Sequence, residues 1–364
     1  MAAVPVTTAG PPEEIADTAR RVPAWRDWRV LLGLGITVVA FGFAIRGIPV
    51  TDVVDAMRDA NLWVLLGLSL PAYAASVVLR GLRWRHLTNP IAPVSRSLLC
   101  RGVAIGFMVN NLVPLRIGEV ARAWYVGRES GVSASALFGT VVLERVIDVV
   151  AVVLIALGAL SLVGAGSAEN SFLSRGAILL LPVGLIPLVG LVLLRTAPDF
   201  TMRLLLWFLK PFPSRFSALA ERILRNFADG LGALSGGSHL FWIAFHSVLI
   251  WIVLSMIPML AGLLAFGIDV GSLSEMVIVS YIALGAVGVA VAIPSAPGFF
   301  GTYQLAFKTV LEQFGVDSAT ALALGLVVWF VFWAALTLAG FIVMRTGGAR
   351  LRDLTRRAQD GSPS

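Results

Sequence analysis

The chain has 364 residues, of which 58% are apolar and only 13% are charged. Soluble proteins carry about 25% charged residues, so these values exclude a soluble enzyme or binding domain and indicate a surface that mostly faces lipid. The net charge of +7 does not indicate a nucleic-acid-binding protein, because the basic residues lie between apolar segments, as they do in the cytoplasmic loops of membrane proteins.

The fold class predicted is an all-α integral membrane protein. Residues 1–24 have no apolar signal-peptide core and are expected to form a disordered cytoplasmic tail. A transmembrane domain over residues 25–345 and a basic cytoplasmic tail over residues 346–364 follow. An apolar helix needs about 20 residues to cross the hydrocarbon core. Six segments have about that length: Val30–Ile48, Leu62–Leu82, Leu137–Gly164, Ala177–Leu194, Leu240–Phe266 and Thr320–Met344.

Two further apolar stretches are interrupted. Leu98–Val113 runs into Pro114, and Met276–Ile293 runs into a segment rich in proline and glycine. We predict that each stretch re-enters the membrane or crosses it twice as two short helices. In both cases, the two halves of the chain have the layout of an inverted repeat, whose broken helices often build a transport site. Long helices that are merely bent by proline are the alternative.

The positions of the basic residues predict the orientation. Of the 28 lysines and arginines, 22 lie in five clusters, at residues 20–29, 80–96, 116–128, 195–225 and 345–357. Placing these clusters inside puts both termini in the cytoplasm. Within Arg195–Gly237, apolar residues at helical spacing among basic ones predict two amphipathic helices on the inner leaflet, with a simple cytoplasmic hairpin as the alternative.

Charged side chains inside apolar segments are costly, and each of them requires a functional or structural reason. Several lie around the first interruption, where a helix restarting after Pro114 has free backbone N–H groups. Arginine binds phosphate in bidentate fashion, and amide side chains add donors. The predicted lipid-phosphate site consists of Arg101, Asn110, Asn111, Arg116, Glu119 and Arg122. The alternative is a salt-bridge network that only holds helices together.

Two more groups complete the candidate residues. Glu144, Arg145 and Asp148 lie within an apolar span, and their spacing predicts an intramembrane charge network on one helix face. The second interruption is predicted to be a re-entrant break formed by Pro297, Gly298, Gly301 and Gln304. Unwound backbone is tolerated at membrane depth where protein or a cavity satisfies it.

Motifs for soluble chemistry are absent from the sequence. No Gly-rich loop ends in Gly-Lys-Ser/Thr, so ATP hydrolysis by this chain is not expected. With three histidines and one cysteine, neither a metal site nor a catalytic triad is predicted. We therefore expect no cofactor, no metal and no catalytic residue.

Four elements carry a family resemblance. Leu79–Arg85 and Asn110–Arg122 resemble the transmembrane region of lysylphosphatidylglycerol synthases. Glu144–Asp148 is similar to the Glu-Arg-x-x-Asp element of that family, and Pro297–Gly301 is similar to its later Pro-Gly-Gly-x-Gly stretch. The resemblance covers residues 25–345 and implies a flippase-like membrane fold that moves or handles phospholipid.

The sequence departs from this family in two ways. Gln304 stands where the family usually has Glu, which questions any role for a negative charge there. No soluble aminoacyl-transfer domain follows the basic tail, so the chain is not expected to make lysylphosphatidylglycerol itself.

The predicted function is translocation of a phospholipid or lipid-linked phosphate across the bacterial cytoplasmic membrane, without ATP. The alternatives are a non-transporting membrane partner of an envelope lipid or glycan transferase, and a membrane enzyme acting on a lipid phosphate with Glu119 or Glu144 as base. The expected partners are a membrane lipid and, under the first alternative, a separately encoded transferase, but no nucleic acid.

Overall fold

A computed structural model describes residues 28–113, 116–164, 196–209, 237–292 and 295–346, with isolated positions between 182 and 193. These residues form helices and no strand. The helices are α1 Trp28–Ile45, α2 Val50–Asp59, α3 Leu62–Thr88, α4 Arg96–Leu112, α5 Gly118–Ser130, α6 Ala134–Gly164, α7 Pro198–Leu209, α8 Gly237–Val248, α9 Ile257–Ala265, α10 Leu273–Ala292, α11 Thr302–Glu312 and α12 Ser318–Thr346. A π-helical turn, Leu249–Leu254, joins α8 to α9, and a 3-10 turn, Pro297–Phe299, precedes α11.

The predicted all-α membrane architecture is confirmed. Four described segments are long and apolar enough to cross a membrane: Leu62–Thr88, Phe241–Ala265, Leu273–Val291 and Ser318–Thr346. The α1–α2 pair adds a fifth if it counts as one span. The predicted span Val30–Ile48 corresponds to α1, and the chain bends by 79° at its end, between α1 and α2. Gly47, at φ 74°, and Pro49, the N-cap of α2, explain the bend.

Several predictions lie wholly or largely outside the described residues. They are the two tails, most of the predicted span Ala177–Leu194, and the second amphipathic helix after Pro211. The first amphipathic segment is present as α7, on which Met202 is buried while Trp207 and Phe208 are exposed.

Both predicted interruptions occur. After α4 ends at Leu112, the helix restarts at Gly118, and Arg116 between them has a positive φ of 53°. After α10 the chain makes its 3-10 turn, in which Gly298 has a φ of 70°. A Cβ at Gly298 would lie 2.7 Å from the indole of Trp333. Only glycine satisfies this backbone conformation and this spacing together.

The two halves of the chain show the same order of elements around these breaks. In the first half, α4 of 17 residues is followed by the break, the 13-residue α5 and the 31-residue α6. In the second half, the 20-residue α10 is followed by the break, the 11-residue α11 and the 29-residue α12. This order supports an internal repeat. Its inverted orientation stays a prediction.

Close packing of α4 against α12 depends on a glycine. Replacing Gly340 by alanine is expected to lower the free energy of unfolding by about 1–3 kcal/mol. The added Cβ would overlap the Cβ of Met108 and lie 2.8 Å from the carbonyl oxygen of Ala104. Thermal unfolding in detergent measures the effect.

The matched control for this substitution is Gly158→Ala in α6, where no atom lies within 4 Å of the added Cβ. This variant is expected to gain up to about 1 kcal/mol from helix propensity. Identical melting temperatures for the two variants would contradict the close α4–α12 contact.

Candidate functional site

A cavity of about 310 Å³ lies between α3, α4, α6, α9, α10 and α12, beside both breaks. Much of its lining is apolar and includes Val77, Phe107, Val149, Met259, Val287 and Phe332. Its polar lining, which we call the polar wall, consists of Arg80, Asn110, Asn111, Arg116, Glu119, Arg145 and Asp148. The cavity therefore joins a charged region to an apolar one, as the head group and tail of a lipid require.

Asp148 is the centre of the polar wall. Its carboxylate accepts hydrogen bonds from Arg83 Nη1 at 2.7 Å and Arg80 Nη1 at 3.3 Å, both on α3. The indole Nε1 of Trp251 donates to the same carboxylate at 2.7 Å, and Arg145 Nη2 lies 2.9 Å from it. Because the side chain is 6% exposed, this carboxylate exchanges its hydration for four protein donors.

Glu144 forms a second layer behind the polar wall. One of its oxygens, Oε1, lies 2.6 Å from Arg145 Nη2, 3.2 Å from Arg83 Nη2 and 3.2 Å from Arg122 Nη1. Arg83 and Glu144 are fully buried. The predicted network of Glu144, Arg145 and Asp148 is therefore present, and it extends across α3, α5 and α6.

Aromatic rings cover the guanidinium groups of this network. The Arg80 guanidinium lies 4.9 Å from the ring centroid of Trp251, and that of Arg122 lies 4.8 Å from the ring of Trp84. Trp84 is itself fixed by its indole N–H, which donates to Thr140 Oγ1 at 2.8 Å. Cation–π contacts of this kind offset part of the cost of removing arginine from water.

The structure corrects the placement of three arginines. Arg80, Arg83 and Arg122 were counted among the cytoplasmic loop charges, but all three are buried in helices. Helix α3 continues to Thr88, beyond the predicted end of its span, because the carboxylates of α6 pair with Arg80 and Arg83. The orientation prediction thus depends on fewer loop arginines than the sequence suggested.

Arg116 is the predicted phosphate ligand that lies within the first break itself, between α4 and α5. It lines the cavity with a side chain that is 37% exposed, and its Nη2 is 3.8 Å from Glu119 Oε1. Its Nη1 donates to the carbonyl of Val291 at 3.1 Å, and its guanidinium lies 5.4 Å from the ring centroid of Phe299. Arg116 therefore links the first break to the last turn of α10 and to the second break.

Arg122 and Arg101 do not line the cavity. Arg122 lies behind the polar wall on Glu144. Arg101, which was predicted to belong to the lipid-phosphate site, is exposed away from the cavity. The small residues Gly102 and Gly106 explain this position, because they turn the opposite face of α4 towards Val126 and Arg122 of α5.

Asn110 and Asn111 form hydrogen bonds that join the elements around the first break. Asn110 Oδ1 accepts the backbone N–H of Gly118 at 2.8 Å, which holds the start of α5 against α4. Asn111 Nδ2 donates to the Trp333 carbonyl at 3.2 Å and to Thr337 Oγ1 at 3.0 Å, both on α12. Their amides therefore fix the polar wall in place.

The second break contacts the first. The carbonyl oxygen of Gly298, on the Pro297–Phe299 turn, accepts a hydrogen bond from the indole N–H of Trp329 at 2.6 Å. The indole N–H of Trp333, on the same helix α12, donates to the carbonyl oxygen of Asn111 at 3.1 Å. Gln304 is fully buried, and its Oε1 accepts the backbone N–H of Gly301 at 2.7 Å. Gln304 thus caps α11 and does not line the cavity.

Three residues of this site were absent from the predicted set: Arg80, Arg83 and Trp251. Arg80 and Arg83 are three residues apart at the end of an apolar span, a spacing that places both on one helix face. This signal was present within the family-like stretch Leu79–Arg85. Trp251 carried no such signal, because its position depends on the π-helical turn between α8 and α9.

The charged groups that line the cavity are mainly guanidinium groups. Among the described residues, no group of three or more His, Cys, Asp and Glu side chains is placed to hold a metal ion. The polar wall offers guanidinium donors and one carboxylate oxygen, Glu119 Oε2, which is buried without a hydrogen-bond partner. Guanidinium groups in this number suit a phosphate.

Comparison with known proteins gives one family and two named relatives. The family described as the lysylphosphatidylglycerol synthase TM region matches residues 30–340. The glycosyltransferase AglD of Haloferax volcanii is 26% identical over 323 residues, which cover 81% of this chain but only 50% of AglD. The UPF0104 membrane protein PH1989 of Pyrococcus horikoshii is 25% identical over 337 residues, which cover 87% of this chain and 96% of PH1989. No solved structure gives a significant match.

Proposed function

We propose that this chain, which belongs to the family of lysylphosphatidylglycerol synthase transmembrane regions, moves a lipid with a phosphate-containing head group across the bacterial cytoplasmic membrane without hydrolysing ATP. The observation that carries the proposal is the cavity. Its polar wall presents the guanidinium groups of Arg80, Arg116 and Arg145, and the rest of its lining is largely apolar. A phosphate and the first part of a hydrocarbon tail fit this division.

The contact between the two breaks supports a transport role. Arg116, in the first break, donates to the carbonyl of Val291 at the end of α10 and lies over Phe299 of the second break. Broken helices that meet at a site are typical of transporters, in which one repeat moves against the other. A lipid phosphate that draws Arg116 away from Val291 would loosen this contact.

The orientation with both termini in the cytoplasm is part of the proposal. The basic clusters at residues 20–29, 195–225 and 345–357 support it, because an excess of lysine and arginine is typical of the cytoplasmic loops of membrane proteins.

A second candidate function is that of a non-transporting membrane partner of a glycan or lipid transferase. The observation that favours it is the similarity to the glycosyltransferase AglD, of which the chain spans half the length. In that role the cavity would hold a lipid-linked substrate for a transferase without moving it between leaflets.

Blocking the cavity tests the translocation proposal. In proteoliposomes, the wild-type protein is expected to move fluorescent phosphate-containing lipid between leaflets, measured by chemical bleaching of the outer leaflet. Val149→Trp places a larger side chain in the cavity and is expected to slow this movement at least tenfold.

The matched control is Leu154→Trp on the same helix, where the side chain is 62% exposed. We expect this variant to transport at the wild-type rate, and both variants to elute from size-exclusion columns as the wild type does. If the wild-type protein moves no lipid, or if Val149→Trp moves it at the wild-type rate, the translocation proposal is wrong.

A further inference from the structure

The charges of the polar wall and the layer behind it do not balance. Among the described residues, the wall and this layer contain five arginines and three carboxylates: Arg80, Arg83, Arg116, Arg122 and Arg145, with Glu119, Glu144 and Asp148. Each carboxylate already has at least one guanidinium within 4 Å. Because these carboxylates are shared among the five arginines, the group carries a net excess of two positive charges in a region largely removed from bulk water.

Unbalanced charge in a low-dielectric region is costly, so this site favours a ligand that supplies the missing negative charge. A zwitterionic head group adds no net charge, and a phosphodiester adds one negative charge. A phosphomonoester carries about −1.5 to −2 at neutral pH, and a diphosphate carries at least as much.

From this charge difference we infer that the ligand of the cavity is a lipid with a phosphomonoester or diphosphate head group. The inference rests on the proposed function and names the substrate class of that same site.

The free donors of the polar wall agree with this class. The Arg145 side chain is 30% exposed and its Nε has no hydrogen-bond partner, while Arg116 donates to a carbonyl and lies 3.8 Å from the carboxylate of Glu119. A terminal phosphate exposes three oxygens to such donors, whereas a phosphodiester exposes two. For an ammonium head group, the cavity offers one carboxylate with an unpartnered oxygen, that of Glu119. Because the positively charged Arg116 lies beside Glu119, an ammonium group is disfavoured there.

Lipid binding to the purified protein in detergent tests this class. The probes are a diacyl phosphatidate, a prenyl diphosphate, phosphatidylglycerol and phosphatidylethanolamine, and the readout is the lipid concentration that gives half-maximal thermal stabilisation. We expect at least one of the two dianionic lipids to bind at least tenfold more tightly than phosphatidylglycerol, and phosphatidylethanolamine to bind most weakly. Preference for one of these two lipids identifies which combination of head group and tail the site binds. Equal binding of phosphatidylglycerol and both dianionic lipids overturns the inference.

Two variants that each remove one charge change the charge excess in opposite directions. Arg80→Gln lowers it to one, while Asp148 keeps Arg83, Arg145 and Trp251 as partners. Glu119→Gln raises it to three. The ratio of dianion to monoanion affinity is expected to fall about tenfold in the first variant and to rise in the second, while Arg58→Gln at an exposed pair leaves it unchanged.

This ratio is insensitive to a general loss of stability, because both affinities are measured on the same variant. A ratio that stays at the wild-type value in both cavity variants contradicts the inference. The outcome is separable from that of the translocation assay. Dianion preference without translocation overturns only the proposed transport, whereas translocation without dianion preference overturns only the substrate class.

Discussion

Asp148→Ala is expected to be the most destabilising of the substitutions considered, lowering the free energy of unfolding by roughly 3–5 kcal/mol. The carboxylate receives hydrogen bonds from Arg80, Arg83 and the Trp251 indole, and Arg145 lies 2.9 Å from it. Its removal leaves Arg80 without a carboxylate partner among the described residues, while Arg83 and Arg145 keep Glu144, which also pairs with Arg122. Thermal and denaturant unfolding in detergent measure the loss.

Two comparisons separate this effect from a general effect of losing an aspartate. Asp148→Asn keeps an acceptor for the Trp251 indole and should lose less stability than Asp148→Ala. Asp55→Ala removes an exposed partner of Arg58, at 3.2 Å with both side chains more than 60% exposed. An exposed pair of this kind contributes at most about 1 kcal/mol. A wild-type melting temperature for Asp148→Ala would mean that the buried network does not exist.

The sequence predicted the long elements well, because an apolar run of membrane-spanning length leaves the chain few alternatives to a helix. The predicted spans Leu62–Leu82, Leu137–Gly164 and Thr320–Met344 correspond to α3, α6 and α12. Proline and glycine in the sequence predicted both interruptions correctly, because a proline disfavours continuation of a helix, whereas glycine permits the positive φ that Gly298 adopts.

The charged residues were harder to place, because their partners are distant in sequence. Arg83 pairs with Asp148, 65 residues away, and no local pattern shows that an arginine at the end of an apolar run has such a partner. A rule based on loop charges therefore assigned Arg80 and Arg83 to the cytoplasm. The reverse error affected Arg101, which lies in an apolar stretch but on the exposed face of α4.

Arg116→Lys is expected to slow translocation of a phosphate-containing lipid at least tenfold while leaving the melting temperature unchanged. Lysine keeps the charge but loses the planar fork that binds two phosphate oxygens. A charge-assisted hydrogen bond contributes roughly 1.5–3 kcal/mol, and each 1.4 kcal/mol in the rate-limiting state corresponds to about tenfold in rate. Stability should be retained because Arg116 is 37% exposed and 3.8 Å from its nearest carboxylate. The proteoliposome assay measures the rate.

Arg122→Lys provides the matched comparison, because the same chemical change is made one layer behind the cavity. Arg122 pairs with Glu144 and lies over the ring of Trp84, so its replacement should lower the melting temperature. The Arg122→Lys protein that remains folded should still move lipid at close to the wild-type rate. If Arg116→Lys transports normally, Arg116 only holds the two breaks together, and the phosphate must be bound by Arg80 and Arg145 alone. If Arg122→Lys instead loses transport without losing stability, the phosphate reaches the layer of Glu144, and the polar wall is not the limit of the binding site.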